Sequence, residues 1–131
     1  MTDRLNRGVT MASVPDGATA PQAREYRGRR DPEGLCHVVV VEAGGRERPL
    51  DPRLDLANKS PTGFEWSYGG SGPAQLGLAL CADALGDGGA ALAVFQRFKF
   101  AVVARLDRDR PWSMTAAEVR ARCAALRSDR G

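Results

Sequence analysis

The residue types that could support chemistry are concentrated between Thr62 and Leu76, where the chain reads TGFEWSYGGSGPAQL. This segment has three aromatic side chains, one carboxylate, a serine hydroxyl and a glycine-rich turn, and its proline stands where a helix can begin. Backbone N–H groups at such a junction have no partner within the helix and can bind a phosphate or a carboxylate. An aromatic ring beside them could stack on the bound group.

We predict that this segment forms a binding site. The candidate residues flank or form the glycine turn: Glu65, Trp66, Tyr68, Gly69, Gly70, Ser71, Gly72 and Gln75. In the first interpretation they recognise a partner protein. In the second, the amides from Gly70 to Ala74 hold a small anionic ligand, a phosphate or nucleotide, on which Glu65 acts. A structural interpretation has the aromatic rings closing the core, with Phe64, Trp66 and Tyr68 on one face of an extended segment.

No catalytic constellation accompanies the turn, so we expect a protein that is not an enzyme. The glycines lack the lysine of a Walker A loop, and Pro73 replaces the second glycine of a nucleophile elbow. Ser71 is expected to be an N-cap. His37, the one histidine, lies in a valine-rich strand and is expected to be structural. One interpretation of Glu65 has its aromatic neighbours raise its pKa by desolvation, but the favoured interpretation is a solvated glutamate on the outer face of the strand.

The cysteine pattern predicts neither a metal site nor a disulfide framework. Cys36, Cys81 and Cys123 are odd in number and far apart, without a C-x-x-C pair or a cysteine–histidine spacing. Reduced thiols in the cytoplasm explain them most simply. We expect no cofactor, and no apolar run approaches the roughly 20 residues of a membrane span.

The charge pattern gives weak support to a third interpretation, nucleic-acid binding. The net charge is +3, and a short basic cluster contains Arg27, Arg29 and Arg30. A second arginine run, over residues 105–110, alternates with aspartate, which cancels most of its field.

Composition divides the chain into a flexible tail at residues 1–24 and a single domain at residues 25–131. The predicted strands are a short edge strand over 25–28, a β-branched strand over 36–42, and a returning arm over 46–50. Pro49 cannot donate a ladder hydrogen bond, so this arm is expected at the edge of the sheet. The alternation from Phe98 to Leu106 predicts a further strand.

The helix predictions rest on apolar character and caps. An almost wholly apolar helix is expected from Pro73 to about Leu85, ended by Gly86, with Asp87 as N-cap of a second helix over 90–97. Thr115 and Glu118 form a capping box for a third helix. The pattern predicts an α+β fold, a small antiparallel sheet (a hairpin plus additional strands) covered by two or three helices. A second subunit covering the apolar helix, and so a homodimer, stays open.

The run from Gly63 to Leu76, the alanine- and leucine-rich helix after it and the later Phe98-Lys99-Phe100 together resemble a family of small proteins with a domain of unknown function. The family occurs in haloarchaea, actinobacteria and their viruses and plasmids, and the resemblance extends from about Tyr26 to Leu126. It implies an accessory protein of a mobile element. The family pattern has glycine where this chain has Ser67, which argues against a role for Ser67 that needs unusual backbone geometry.

Overall fold

The computed structural model describes residues 24–128 and confirms the α+β fold. Its strands are β1 (Glu25–Arg30), β2 (Cys36–Val41), β3 (Glu47–Pro49) and β4 (Trp112–Thr115). Its α-helices are α1 (Ser71–Leu85), α2 (Gly88–Ala101) and α3 (Ala116–Ser128), with a 3₁₀ turn over Val103–Arg105. The predicted tail lies outside the described residues except for Arg24, which already contacts the folded domain.

The four strands form one antiparallel sheet in the order β3-β2-β1-β4. Pro49 is therefore in an edge strand, as the sequence predicts. The prediction that β1 lies at an edge is wrong, because β4 pairs with its far side and places Trp112 opposite Gly28. A β-carbon on residue 28 would overlap the Trp112 ring, so only glycine lets the indole lie flat on the strand.

The sheet has one covered face and one open face. Tyr26, Val38 and Val40 are buried together with residues of the helices. The alternate positions Arg27, Arg29 and His37 lie on the opposite face, where both arginines are exposed.

α1 is the central helix, and every residue from Gly72 to Ala82 is buried. It ends as predicted at Gly86, whose φ of 66° is left-handed and whose N–H donates to the Ala82 carbonyl. The prediction for its start is wrong. Gly70 is the N-cap, Ser71 is the first helical residue, and no side chain caps the helix.

The end of α2 and the 3₁₀ turn after it occupy the region for which we predicted a strand. Asp87 caps α2 as expected, accepting from Ala90 N–H at 3.1 Å. The buried apolar residues of α2 follow a helical period: Ala91, Val94, Phe95 and Phe98. The two-residue alternation from Phe98 did not indicate a strand, because a helical period fits the same few residues. Phe100 points to solvent.

α3 begins at the predicted capping box. Thr115 Oγ1 accepts from Glu118 N–H at 3.0 Å, and Glu118 Oε1 accepts from Thr115 N–H at 2.8 Å. The helix buries Val119 and Cys123 against the core. The thiol of Cys123 touches that of Cys81 in α1, with 3.5 Å between the sulfurs, and both cysteines are free.

Asp83 joins the C-terminal half of α1 to the sheet. Its carboxylate accepts from the Tyr26 hydroxyl at 2.7 Å and contacts Arg24 and Arg48 at 3.0 Å each. Arg24 also donates to the Asp83 carbonyl at 2.8 Å. Burial, with the negative charge of Asp83, raises the pKa of Tyr26 far above its usual value, so this phenol stays a hydrogen-bond donor.

No helix between residues 24 and 128 is both long enough and apolar enough to cross a membrane.

Candidate functional site

The aromatic segment before α1 is an irregular loop and not an extended strand. Gly63 and Ser67 have positive φ angles, 139° and 85°, and each reverses the alternation of side chains. Trp66 is consequently 0% exposed while Tyr68 is 50% exposed. The interpretation in which the aromatic residues share one face of an extended segment is wrong, and Ser67 has an unusual backbone geometry although it is not the glycine of the family pattern.

Ser67 is held in this unusual conformation by the 3₁₀ turn that follows α2. Its N–H donates to the Val103 carbonyl at 3.1 Å, while its hydroxyl is buried without a partner among residues 24–128. Left-handed geometry favours glycine at this position. The loop therefore stores backbone strain between a buried and an exposed aromatic residue.

Trp66 belongs to the core and not to a binding surface. Its ring packs edge-on against Trp112, with 5.5 Å between centroids and 89° between planes. The Arg30 guanidinium lies over Trp66 at 5.1 Å from the ring centroid. A ligand has no exposed part of Trp66 to contact.

Glu65 is fixed by Arg30 through two N···O contacts of 3.1 and 3.2 Å. Burial alone would raise its pKa, but the hydrogen bond and charge of Arg30, with further donation from Cys36 and Trp66 N–H, outweigh burial and lower it. The interpretation in which desolvation raises the pKa of Glu65 is therefore wrong. Glu65 is ionised at neutral pH and is not suited to act as a general acid.

The thiol of Cys36 lies near this carboxylate, and the neighbouring His37 is bound to Asp31. Burial, followed by the charge of Glu65, raises the pKa of Cys36 to about 11, so the thiol is protonated at neutral pH and is a poor nucleophile. His37 Nε2 is 2.8 Å from Asp31 Oδ2. That hydrogen bond and the N–H groups of Leu35 and Glu33 lower the pKa of Asp31.

Gln75 is 0% exposed, and its carboxamide is fully used within the chain. Its oxygen accepts from Lys59 and Ser60 N–H at 2.7 and 2.9 Å, and its nitrogen donates to the Pro52 and Ala57 carbonyls at 2.6 and 3.1 Å. Two donors and two acceptor lone pairs are its whole capacity. Gln75 therefore anchors the loop over residues 52–60 to α1 and has no group left for a ligand.

Four of the eight candidate residues line one cleft of about 580 Å³: Glu65, Tyr68, Ser71 and Gly72. Residues 34–37 form the opposite wall, and the loop over residues 60–64 contributes Ser60, Thr62, Gly63 and Phe64. This volume lies within the range of small-ligand sites. Exposed Leu35 and Tyr68 give the cleft an apolar rim around the Glu65 carboxylate.

Beside the cleft, Tyr68 and Phe100 lie against the two remaining candidates, Gly69 and Gly70; we call these four residues the aromatic platform. A β-carbon on residue 69 would lie 2.7 Å from a Phe100 ring carbon, and one on residue 70 would overlap the Tyr68 ring. Phe100, at 58% exposed, is a functional candidate that the sequence analysis missed. The signal available in the sequence was the helical period of α2, which places Phe100 on the exposed side of the helix.

The first turn of α1 packs against Glu65. A β-carbon on Gly72 would lie 2.8 Å from the Glu65 β-carbon. An ionised Glu65 beside the first turn competes with any external anion for the positive end of the helix.

The open face of the sheet carries a larger concavity of about 630 Å³. Its walls include Arg27 and Arg29 but also Glu25 and Glu47, and Arg27 is paired with Glu25 at 2.9 Å. Arg30, the third residue of the predicted basic cluster, is bound to Glu65. The described residues contain no group of three histidine, cysteine, aspartate or glutamate side chains that could hold a metal ion.

Residues 26–125 match the model of a family described as a family of unknown function, DUF6166. The chain belongs to this family. The match extends from β1 into α3 and so includes the cleft and the aromatic platform. No curated protein and no solved structure shows significant similarity to the chain.

Proposed function

We propose that the protein is a non-enzymatic interaction domain that recognises a partner protein through the aromatic platform and the adjoining cleft rim. The supporting observation is that two exposed rings, those of Tyr68 and Phe100, lie close against a pair of glycines. Aromatic side chains are enriched at protein interfaces because they bury a large area at a small cost in conformational entropy.

The chemistry of the cleft favours binding over catalysis. At neutral pH, Cys36 is protonated and is therefore not a thiolate nucleophile, and Glu65 is ionised and therefore not a general acid. A cytoplasmic accessory role, including one in a mobile element, is part of this proposal; its support is the cysteine pattern and the family resemblance.

The two other interpretations have less support. A phosphate at the Gly70–Ala74 amides would lie beside the ionised carboxylate of Glu65. Nucleic-acid binding through the arginines of β1 is weakened by the acidic partners of Arg27 and Arg30.

Site-specific photo-crosslinking tests the interaction. Benzoylphenylalanine replaces Tyr68, Phe100 or, as a control, Leu92, an exposed apolar residue elsewhere on α2. We expect the same partner to be crosslinked from positions 68 and 100 and not from position 92, in lysate from a host of the family. Identical products from all three positions, or none from 68 and 100, would exclude the platform as an interface.

Gly70→Ala sharpens this test because it displaces the ring of Tyr68 without changing the chemistry of either aromatic residue. Residue 70 has φ −91°, which alanine adopts readily. We expect this variant to stay folded and to lose most of the product formed from position 100. Undiminished crosslinking would show that the arrangement of the rings is unimportant.

A further inference from the structure

Two of the three cysteines are in direct contact in the core. Cys81 in α1 and Cys123 in α3 are both 0% exposed, and their sulfur atoms are 3.5 Å apart, so that one thiol donates a weak hydrogen bond to the other. The third cysteine, Cys36, is half-buried and lines the cleft. A single buried cysteine behaves as a small apolar side chain, whereas two sulfurs in contact can react with each other.

The positions of these two thiols favour a bond between them over a bond to another molecule. A disulfide holds its sulfurs about 2.0 Å apart, so Cys81 and Cys123 have to approach each other by only about 1.5 Å. Their helices, α1 and α3, pack directly on each other. Burial at the same time keeps the thiols of other proteins away. An intramolecular disulfide is therefore the oxidation product that the geometry favours.

The surroundings of the two thiols differ. Cys81 lies in the middle of the buried central helix, whereas Cys123 lies on an outer helix between the exposed residues Arg122 and Ala124. The hydrogen bond with Cys81 and then the charge of Arg127 lower the pKa of Cys123, although its burial acts in the opposite direction. The same hydrogen bond and burial raise the pKa of Cys81. Cys123 is thus the thiol that ionises first, and local opening of α3 brings it to solvent.

We propose that Cys81 and Cys123 are an oxidation site for hydrogen peroxide, at which a reversible disulfide fixes α3 on α1. The Cys123 thiolate attacks one peroxide oxygen, so that an S–O bond forms, the O–O bond breaks and hydroxide leaves. The Cys81 sulfur then attacks the resulting sulfenic acid, so that the S–S bond forms, the S–O bond breaks, and the proton of Cys81 leaves with the hydroxide as water. In total the two thiols lose two electrons and two protons, and the peroxide is reduced to two molecules of water.

The disulfide changes how α3 is held. In the thiol form, α3 is attached by its capping box, by apolar contacts and by a hydrogen bond of 3.0 Å from Arg120 to the Ala84 carbonyl, all of which can open locally. In the disulfide form, a covalent bond near the middle of α3 prevents this opening, and the crosslink also restricts the unfolded chain. The inference does not depend on the proposed function, because neither Cys81 nor Cys123 lines the cleft or belongs to the aromatic platform.

Intact-mass spectrometry of the full chain gives the first test. Cys36→Ser removes the third thiol, and this variant is treated with a small excess of hydrogen peroxide in the absence of reductant. We expect the monomer to lose the mass of two hydrogen atoms, the peptide map to join Cys81 to Cys123, and dithiothreitol to reverse the change. An unchanged mass, a gain of oxygen atoms alone, or a disulfide-linked dimer would overturn the proposal.

Two further variants, each made in the Cys36→Ser background, test the order of the two steps. In Cys81→Ala the sulfenic acid of Cys123 has no neighbouring thiol, so dimedone, which traps sulfenic acids, should label it during peroxide treatment. Cys123→Ala should be labelled very little, because Cys81 stays protonated and enclosed by the core. Labelling of Cys123→Ala in preference to Cys81→Ala would overturn the assignment of Cys123 as the attacking thiol.

Hydrogen exchange tests the effect of the disulfide on α3. The amides of α3 should exchange about tenfold more slowly in the oxidised chain than in the reduced chain, because local opening is blocked. The melting temperature should rise by several degrees. Cys123→Ala treated with peroxide cannot form the bond, and its exchange rates should stay as they were before treatment. A disulfide that forms without slowing the exchange of α3 would overturn its role in fixing this helix.

Discussion

The two ends of the central helix are attached to the rest of the molecule in different ways. Near the C-terminal end of α1, the carboxylate of Asp83 binds side chains from the sheet, among them Tyr26 and Arg48. Near the N-terminal end, the carboxamide of Gln75 binds only backbone groups, all from one loop. The first arrangement joins secondary-structure elements, and the second holds irregular chain in place.

This difference separates the part of the molecule that maintains the fold from the part that we propose for recognition. The positive φ of Ser67 and the exposed rings of Tyr68 and Phe100 lie around the start of α1. Backbone strain persists only where the surrounding structure imposes it, and it is concentrated at functional sites. Substitutions that remove these contacts one at a time test the comparison between the two ends of α1.

The largest effect is expected for Asp83→Ala. The change leaves the Tyr26 hydroxyl and the Arg24 guanidinium partly buried without their acceptor, which should lower the free energy of unfolding by about 3 kcal/mol. Urea denaturation measures this loss in the free energy of unfolding. Asp87→Ala removes an aspartate that only caps α2 and should cost about 1 kcal/mol. Equal costs for the two variants would refute the role of Asp83 as a junction.

Gln75→Met should cost about 2 kcal/mol, because two backbone N–H groups and two carbonyls lose a buried partner. The loss should be local, so limited proteolysis is expected to cut the loop over residues 52–60 faster while the sheet stays protected. Gln96→Met, at an exposed position of α2, is the matched control. Uniform sensitivity along the chain would contradict a local anchor.

Ser67→Gly should raise the free energy of unfolding by about 1 kcal/mol, because glycine adopts a φ of 85° without strain and the unpaired hydroxyl is removed. The same change at Ser71, an exposed residue in the first turn of α1, should instead destabilise the protein slightly. Thermal melts of the two variants compare them directly. A loss of stability in Ser67→Gly would show that residue 67 is not strained.

Glu65 contributes a small, pH-dependent part of the stability. Because its pKa is lowered in the folded protein, this contribution is fully present above the ordinary glutamate pKa of about 4.3 and is lost as the pH falls through the lower, folded value. Wild type should therefore be more stable than Glu65→Gln at pH 7, and the difference should shrink as the pH falls through the lowered pKa of Glu65. Glu33→Gln, at an exposed glutamate, is the matched control. A difference that persists in acid would exclude the ion pair with Arg30 as its cause.

The parts of the fold that the sequence could predict depend on local interactions. The caps at Gly86, Asp87 and Thr115 depend on hydrogen bonds to backbone groups within one helical turn, and the structure confirms all three. β4 was missed because its four residues are stabilised by pairing with β1, which lies far away in the sequence. The last residues of α2 were predicted as a strand because a two-residue period and a helical period both fit them.

The sequence indicated the region of the candidate site but not the environment of each residue. Composition singled out the loop, and half of its candidate residues do line one cleft. Sequence could not show that Trp66 and Gln75 are internal, because positive φ angles and the path of a distant loop decide their environment.

The central position of β1 also has a kinetic consequence. β1, β2 and β3 are neighbours in the sequence and can pair through short loops, whereas β4 reaches β1 only after α1 and α2 have been traversed. Closing so long a loop is entropically unfavourable before the helices have packed, so β4 is expected to join after the folding transition state. Substitutions in β4 should then accelerate unfolding and leave the folding rate almost unchanged. The step that seats Trp112 on Gly28 would thus determine how long the native state lasts, and not how quickly it forms.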